Sequence, residues 1–369
     1  MPEADTAPKP ANGKVGRRRL IKGLAALAVA PWAMMPWRRA RAMTQALAAE
    51  VAGNSELLLV AGPATGRLAQ WAGLLCPLIG PALAAGGTLS WTSVGAADGV
   101  TAANQFDAEV SPDGDTAMLL PGTAALAQLV GDPRARFDVG AWVAGFAGVS
   151  STIVMGRLPL TQLPTSKPLV VLAADPGGVD LPTLLGLSLL GYNVTPVTPE
   201  ALAANPSDAL LSGKIDVATL SNAAVSEAPR WQSSGLVPLF TLGTIGEDGT
   251  LGPDPKFPAT PTLEDLLAAK GVDPTRPLPT AWRAIASAKQ LSLGLVLPQL
   301  TPASRVAQWR LACAASIASL SVQAAAAAES LRLATQPTAA MIMASITAPA
   351  PAQLELHQWL ANRLGWRPS

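Results

Sequence analysis

The chain has 369 residues, enough for two domains and a large buried core, and its charge is sparse and balanced at 26 Lys+Arg against 25 Asp+Glu. No basic stripe interleaved with aromatic residues occurs, which argues against nucleic acid as a partner. Beyond residue 42 no uninterrupted run of about twenty apolar residues occurs, so no membrane-spanning helix is expected there.

Residues 1–16 are polar and rich in Pro, Ala and Lys, and read as a disordered lead-in. Arg17-Arg18-Arg19-Leu20-Ile21-Lys22 follows, then an apolar stretch from Gly23 to Met35, then Ala40-Arg41-Ala42. A basic start, a short apolar centre and an A-x-A site make a signal peptide, and the arginine pair before Leu-Ile-Lys resembles the twin-arginine type. Cleavage after Ala42 would start the mature chain at Met43, exported to the periplasm. The competing reading is a basic amphipathic surface helix.

Residues 44–53 read as helical or frayed. Glu56–Val60 is a short continuous apolar run of the kind buried on both faces, and it ends in Ala61-Gly62-Pro63-Ala64-Thr65-Gly66. From Arg67 to about Ala85, Leu68, Trp71, Ala72, Leu75 and Ile79 recur at helical spacing, and Gly86-Gly87 ends the pattern. Thr88–Val94 predicts a second strand, followed by the small-residue loop Gly95–Gly99 and a helix from Val100. Thr116–Leu120 predicts a third strand, which opens into Pro121-Gly122-Thr123 and another helix.

Three strand–loop–helix units in succession predict an α/β fold with a parallel sheet covered by helices. Further strands are expected at Ala141–Ala147, Ser151–Met155 and Leu169–Ala173. The last leads through Ala174–Asp180 into a helix over Leu181–Leu190. Asn193–Val197 reads as a strand, Glu200–Ser212 as a helix and Lys214–Thr219 as a strand closing on Leu220-Ser221-Asn222. Val237–Leu242 is a further strand, and Gly243–Pro261 reads as a Gly/Pro/Asp-rich crossover or surface loop. Helices dominate from Thr262, with one β-like stretch at Leu291–Leu297.

Catalytic and metal signatures are missing from this sequence. His357 is the one histidine and sits in a helical pattern near the C-terminus, where a surface or packing role is expected; no G-x-S-x-G elbow, phosphate loop or metal-ligand spacing occurs. Neither metal nor cofactor is expected. Cys76 and Cys313 read as buried thiols in helices, with a disulfide as the alternative in an oxidising compartment. What the loops do offer is backbone: small residues at helix starts leave N–H groups aligned with the helix dipole, an anion site without side-chain charge. The bland alternative is that the glycines only make tight turns.

Several segments resemble those of the Bug or TctC family, the extracytoplasmic solute receptors of tripartite tricarboxylate transporters. "GAADGVTAANQF" is similar to the family's GAGG-x-x-G loop and helix, and "SPDGDTAMLLPGT" to its A-x-P-D-G-Y-T-L-L-x-G block. "LLSGKIDVATLSNAAV", "SSGLVPLFTLG" with "FPATPTLEDL", and "LSLGLVLPQLTPASRVAQW" follow in the family's order. The resemblance implies a two-domain Venus flytrap, the type II periplasmic-binding-protein fold, gripping a ligand carboxylate largely through main-chain N–H groups. It implies domains at 43–130 with 250–369 and at 131–249, hinged at the crossovers.

The implied partners are a small carboxylate ligand, integral membrane transporter subunits and the twin-arginine export machinery. The expected ligand-binding residues are Gly62, Thr65, Gly66 and Arg67; Gly95, Ala96, Ala97, Asp98 and Gly99; Gly122 and Thr123; Asp175, Gly177 and Gly178; and Ser221 with Asn222. Three positions depart from the pattern: Arg67 stands in place of an Asp, Trp71 of an Arg and Asp115 of a Tyr. Arg67 is expected to be either a direct partner of the ligand carboxylate or a solvated first-turn residue. An emptied cleft serving sensing or protein interaction is one rival reading. An exported enzyme using Asp98, Asp175 or Asp180 as base is another.

Overall fold

Leu57–Val60 offers no polar break, and it forms the middle of strand β1 (Ser55–Ala61), next to the edge of a six-stranded sheet. The computed structural model describes residues 55–83, 87–202 and 204–366. The proposed signal segment and the helical or frayed stretch expected at 44–53 lie outside them.

Helix α1 (Arg67–Leu83) buries Leu68, Trp71, Ala72, Leu75 and Ile79, the stripe its spacing predicts. Pro77 and Pro81 lie inside it and remove ladder hydrogen bonds. Burial of side chains such as Leu75 and Ile79, each worth about 1.5–3 kcal/mol, outweighs that loss. β2 (Thr88–Val94), α2 (Val100–Glu109), β3 (Thr116–Leu120) and α3 (Gly122–Leu129) complete the repeated units.

β4 (Val143–Ser150) then joins the same sheet, whose order is β13-β4-β12-β3-β1-β2, with β12 at Leu291–Leu297 and β13 at Leu331–Ala334. The sheet is mixed, not wholly parallel as expected: β1 pairs parallel with β2 and β3, while β12 runs antiparallel to both β3 and β4. Every residue of β12 is buried, which explains why its sequence reads as a continuous apolar run.

One residue, Ser151, separates β4 from β5 (Thr152–Gly156), which belongs to the second sheet. That sheet has five strands in the order β7-β6-β8-β5-β9, with β6 at Leu169–Leu172, β7 at Val194–Val197, β8 at Val217–Ser221 and β9 at Val237–Thr241. Helix α4 (Leu181–Leu189) follows β6. The single helix expected at Glu200–Ser212 is two short ones, α5 (Pro199–Leu202) and α6 (Pro206–Leu211). Pro206 stands at the first helical position of α6, where its fixed φ and missing N–H suit a start and not an interior. α7 (Ala228–Ser233) precedes β9. The loop expected after it holds a small antiparallel pair, β10 (Thr244–Ile245) with β11 (Leu251–Gly252).

The chain returns to the first sheet through α8 (Leu263–Ala269) and α9 (Pro277–Gln290). α8 starts at a full capping box, Thr262 with Asp265. α10 (Ala303–Ile317), α11 (Leu320–Ala328), α12 (Thr338–Ser345) and α13 (Ala350–Trp359) fill the C-terminal part. Trp282 of α9 is buried and donates to the Pro182 carbonyl at the start of α4, a bond of 2.9 Å that ties the return segment to the second sheet's helix layer. Among the described residues no single helix is long and apolar enough to cross a membrane.

Candidate functional site

The loops at the carboxyl ends of β1, β2 and β3 meet. Gly62 takes a φ of 117°, and a Cβ built on it would lie 3.7 Å from the Ala97 Cα. Gly99, at φ 79°, lies against Pro121 and Ala124. Ala96 and Ala97 are exposed, as is Thr65, and Gly66 closes the first turn with its N–H on the Pro63 carbonyl at 2.8 Å. Gly95, at φ 76°, sits over Thr101.

Asp98 organises the next layer. One of its oxygens accepts from the Val100 N–H at 3.2 Å and the other from Arg134 at 3.1 Å, while its carbonyl accepts from the Thr123 hydroxyl at 3.0 Å. The Thr123 hydroxyl proton is therefore already donated, and only the oxygen's lone pairs remain for a ligand. Pro121 precedes α3 without a side-chain cap; its carbonyl accepts from the Ala124 N–H at 3.2 Å, which leaves the first two N–H groups of the helix without a capping side chain.

Asp98, Thr123, Leu126, Ala127, Val130, Asp132 and Arg134 from the first sheet's side, and Asp175, Gly177, Gly178 and Trp366 opposite, line a cavity of about 510 Å³. Trp366 packs against Gly177, where a Cβ would meet its ring at 2.4 Å; only glycine lets the indole this close. A smaller hollow of about 310 Å³ lies between α1 and β2 and is lined from the first sheet's side alone. The larger one is the candidate site because it joins loops from both sheets.

The charges there are uneven. Arg134 pairs with Asp132 at 2.6 Å and with Asp98 at 3.1 Å. Arg134, by hydrogen bonding, holds the Asp132 carboxyl below its usual range, and Asp132 in turn raises the guanidinium's pKa. Asp175 adds a third carboxylate to the lining. Behind it, burial raises the pKa of Asp180, at the start of α4, and lowers that of Lys289, near the end of α9; each charge opposes the other's shift.

The remaining expected residues meet elsewhere. Arg67 donates from Nε to Glu329 at 2.5 Å and from Nη1 to the Ser292 carbonyl at 2.9 Å. The Ser292 hydroxyl donates to Asn222 Oδ1 at 2.7 Å, and Asn222 stands at φ 54°, just after β8. Arg67 and Asn222 thus share one hydrogen-bonded chain across the two sheets, whereas Ser221 makes no side-chain bond in it. The sequence reading missed Arg134, Asp132, Trp366, Lys289, Ser292 and Glu329. Only the Asp132-Pro133-Arg134 turn carries a local signal, the Asp132 side chain accepting from the Arg134 N–H at 2.9 Å. His357 packs as expected: its ring lies against Gly131 and bonds the Leu129 carbonyl at 2.9 Å.

No family model matches this chain, and no curated protein matches it. Solved structures do. A TctC solute-binding protein from Polaromonas, without ligand, is similar over 83% of this chain and 97% of its own, at 17% identity and a TM-score of 0.57. The periplasmic binding protein BugD is similar over 84% and 97%, at 16% identity and a TM-score of 0.48. MatC from Rhodopseudomonas palustris, with bound malate, is similar over 83% and 97%, at 18% identity and a TM-score of 0.45. The first of these likenesses defines the class: this is an α/β periplasmic-binding-protein fold. More narrowly, it is the fold of the TctC-type solute-binding proteins.

Proposed function

We propose that this chain is an exported receptor that captures a small organic acid between its two sheets and hands it to a membrane transporter of the tripartite tricarboxylate type. The observation that carries the reading is the cavity of about 510 Å³, built jointly from the carboxyl-end loops of β2, β3 and β6. Open α/β sheets bind ligands at that end of their strands. The uncapped start of α3 and the Arg134 guanidinium supply the positive potential a carboxylate needs. The lobes follow the sheets. Ser151 and the long return after β9 act as the crossovers, and closure about them is the transport event. Export to the periplasm by the twin-arginine route rests on Arg17–Ala42.

The excess of carboxylates in the cavity supports a second reading. Asp98, Asp132 and Asp175 face a single Arg134, so a solute carrying an ammonium group beside its carboxylate would balance the site better than a bare diacid. Thermal unfolding against mono-, di- and tricarboxylates, aromatic acids and amino acids tests both. A ligand at a thousand times its Kd adds about 4 kcal/mol. At about 2–4 °C per kcal/mol, that raises Tm by several degrees. A shift with acids as a class supports the first reading, and a shift confined to amino acids supports the second. No shift with any of them refutes the receptor.

A further inference from the structure

Arg67 and Trp71 lie one turn apart at the start of α1, and both hold the same carboxylate. Arg67 Nε donates to Glu329 Oε2 at 2.5 Å, and the Trp71 indole N–H donates to Glu329 Oε1 at 3.1 Å. A guanidinium and an indole gripping the two oxygens separately is how a receptor would seize a free acid. The Arg67 Nη2 is buried without a partner, so the fork has a donor to spare. Glu329 lies at the C-terminal end of α11, two residues before the four-residue edge strand β13, and Ser330 between them stands at φ 57°, a conformation that disfavours a non-glycine residue. The pair is partly open to solvent, with Arg67 36% and Glu329 28% exposed.

We propose that Arg67 and Trp71 form a carboxylate-binding grip that Glu329 fills from within the chain, as a plug that a solute carboxylate displaces. This rests on the organic-acid reading above. The plug acts at the effective concentration of a tethered group, of millimolar order. Arg67 is not among the residues that line the 510 Å³ cavity, so the grip is a second subsite, and a free acid fills it only by outcompeting Glu329. The Arg67 Nη1 bond to Ser292, and the Ser292 bond to Asn222 after β8, place this exchange on the chain of contacts that spans the two sheets. Displacing Glu329 is thereby coupled to closure.

The test is calorimetric titration of the purified protein with succinate, citrate and benzoate, comparing wild type with Glu329→Gln and with Glu329→Gln combined with Arg67→Met. The expected result is binding of at least one probe tightened by on the order of tenfold in Glu329→Gln, with the gain lost in the double variant. Binding by wild type that Glu329→Gln does not tighten overturns the plug and leaves the receptor standing. Binding by neither protein overturns both. The carboxyl ¹³C resonance of Glu329 in wild type gives a readout independent of the variant's folding. It shifts as a probe displaces the side chain, and a resonance unmoved at the highest probe concentration reached overturns the plug.

Discussion

Gly122 shows how closely the site is built against the return segment. A Cβ there would lie 1.9 Å from the Ala288 carbonyl oxygen and 2.7 Å from that of Leu291, both backbone atoms where α9 passes into β12. Overpacking of this kind costs about 1–3 kcal/mol where side chains can yield, and backbone oxygens yield less. Gly122→Ala is expected to sit at or above the top of that range and to lower Tm by roughly 5 °C or more in calorimetry. Gly73 is the control. It lies exposed within α1 with nothing within 4 Å of its would-be Cβ, so Gly73→Ala should stabilise by about 0.5–1 kcal/mol. Equal effects of the two substitutions would show that the contact at Gly122 is not as tight as described. The same residue scale explains what the sequence left hidden. Gly122 and Thr123 are legible as a loop after a strand, but the partners that give the loops their chemistry are remote. Arg67 meets Glu329 across 262 positions of chain, and no local pattern announces that pairing.

At the scale of elements, α10 is fixed to the far end of the first sheet by charge. Its Arg305 bonds Asp115 at 2.9 Å, the Gly114 carbonyl at 3.1 Å and Glu56 at 3.3 Å, and Trp309 donates to the same Gly114 carbonyl at 2.8 Å. Asp115 is one of the three positions that depart from the Bug/TctC pattern. It serves helix docking at the end of the sheet away from the cavity, so that departure says nothing about ligand choice. Glu56 is buried, and one of its oxygens has no partner. Removing Arg305 would leave a buried carboxylate uncompensated, and losses of this kind run to about 3–5 kcal/mol. Arg305→Met should therefore lower the urea midpoint sharply at unchanged m-value, and adding Glu56→Gln should restore part of it. An unchanged midpoint in the single variant would rule the ion pair out as an anchor. The long periodic or apolar elements, α1, β1, β3 and β12, were legible from sequence because one side chain after another repeats the same demand for burial. β13 was not: four residues at a sheet edge, one of them Arg332, carry no alternation strong enough to read.

For the molecule as a whole, the cysteines connect burial to the compartment proposed for it. Cys76 and Cys313 are both free and buried, and burial pushes each thiol up to about 12. At pH 8 the thiolate fraction of such a group is about one in 10⁴, so neither thiol is an effective nucleophile in an oxidising periplasm. Both cysteines stand as free thiols, so the disulfide that the sequence left open is not formed in this structure, and the folded chain should resist iodoacetamide until denatured. The pH dependence follows from the same shift. Between the ordinary thiol value of 9.0 and about 12, the folded chain keeps protons that the unfolded chain has lost. Stability from these groups is therefore complete below pH 9 and is lost as pH rises toward 12. Lysines and Tyr192 titrate nearby, so the comparison that isolates the effect is wild type against Cys313→Ala. The variant's denaturation midpoint should fall less steeply over that interval. Parallel profiles would mean that the Cys313 thiol ionises as readily in the folded chain as in the unfolded one, and would contradict its burial on α10 against β4.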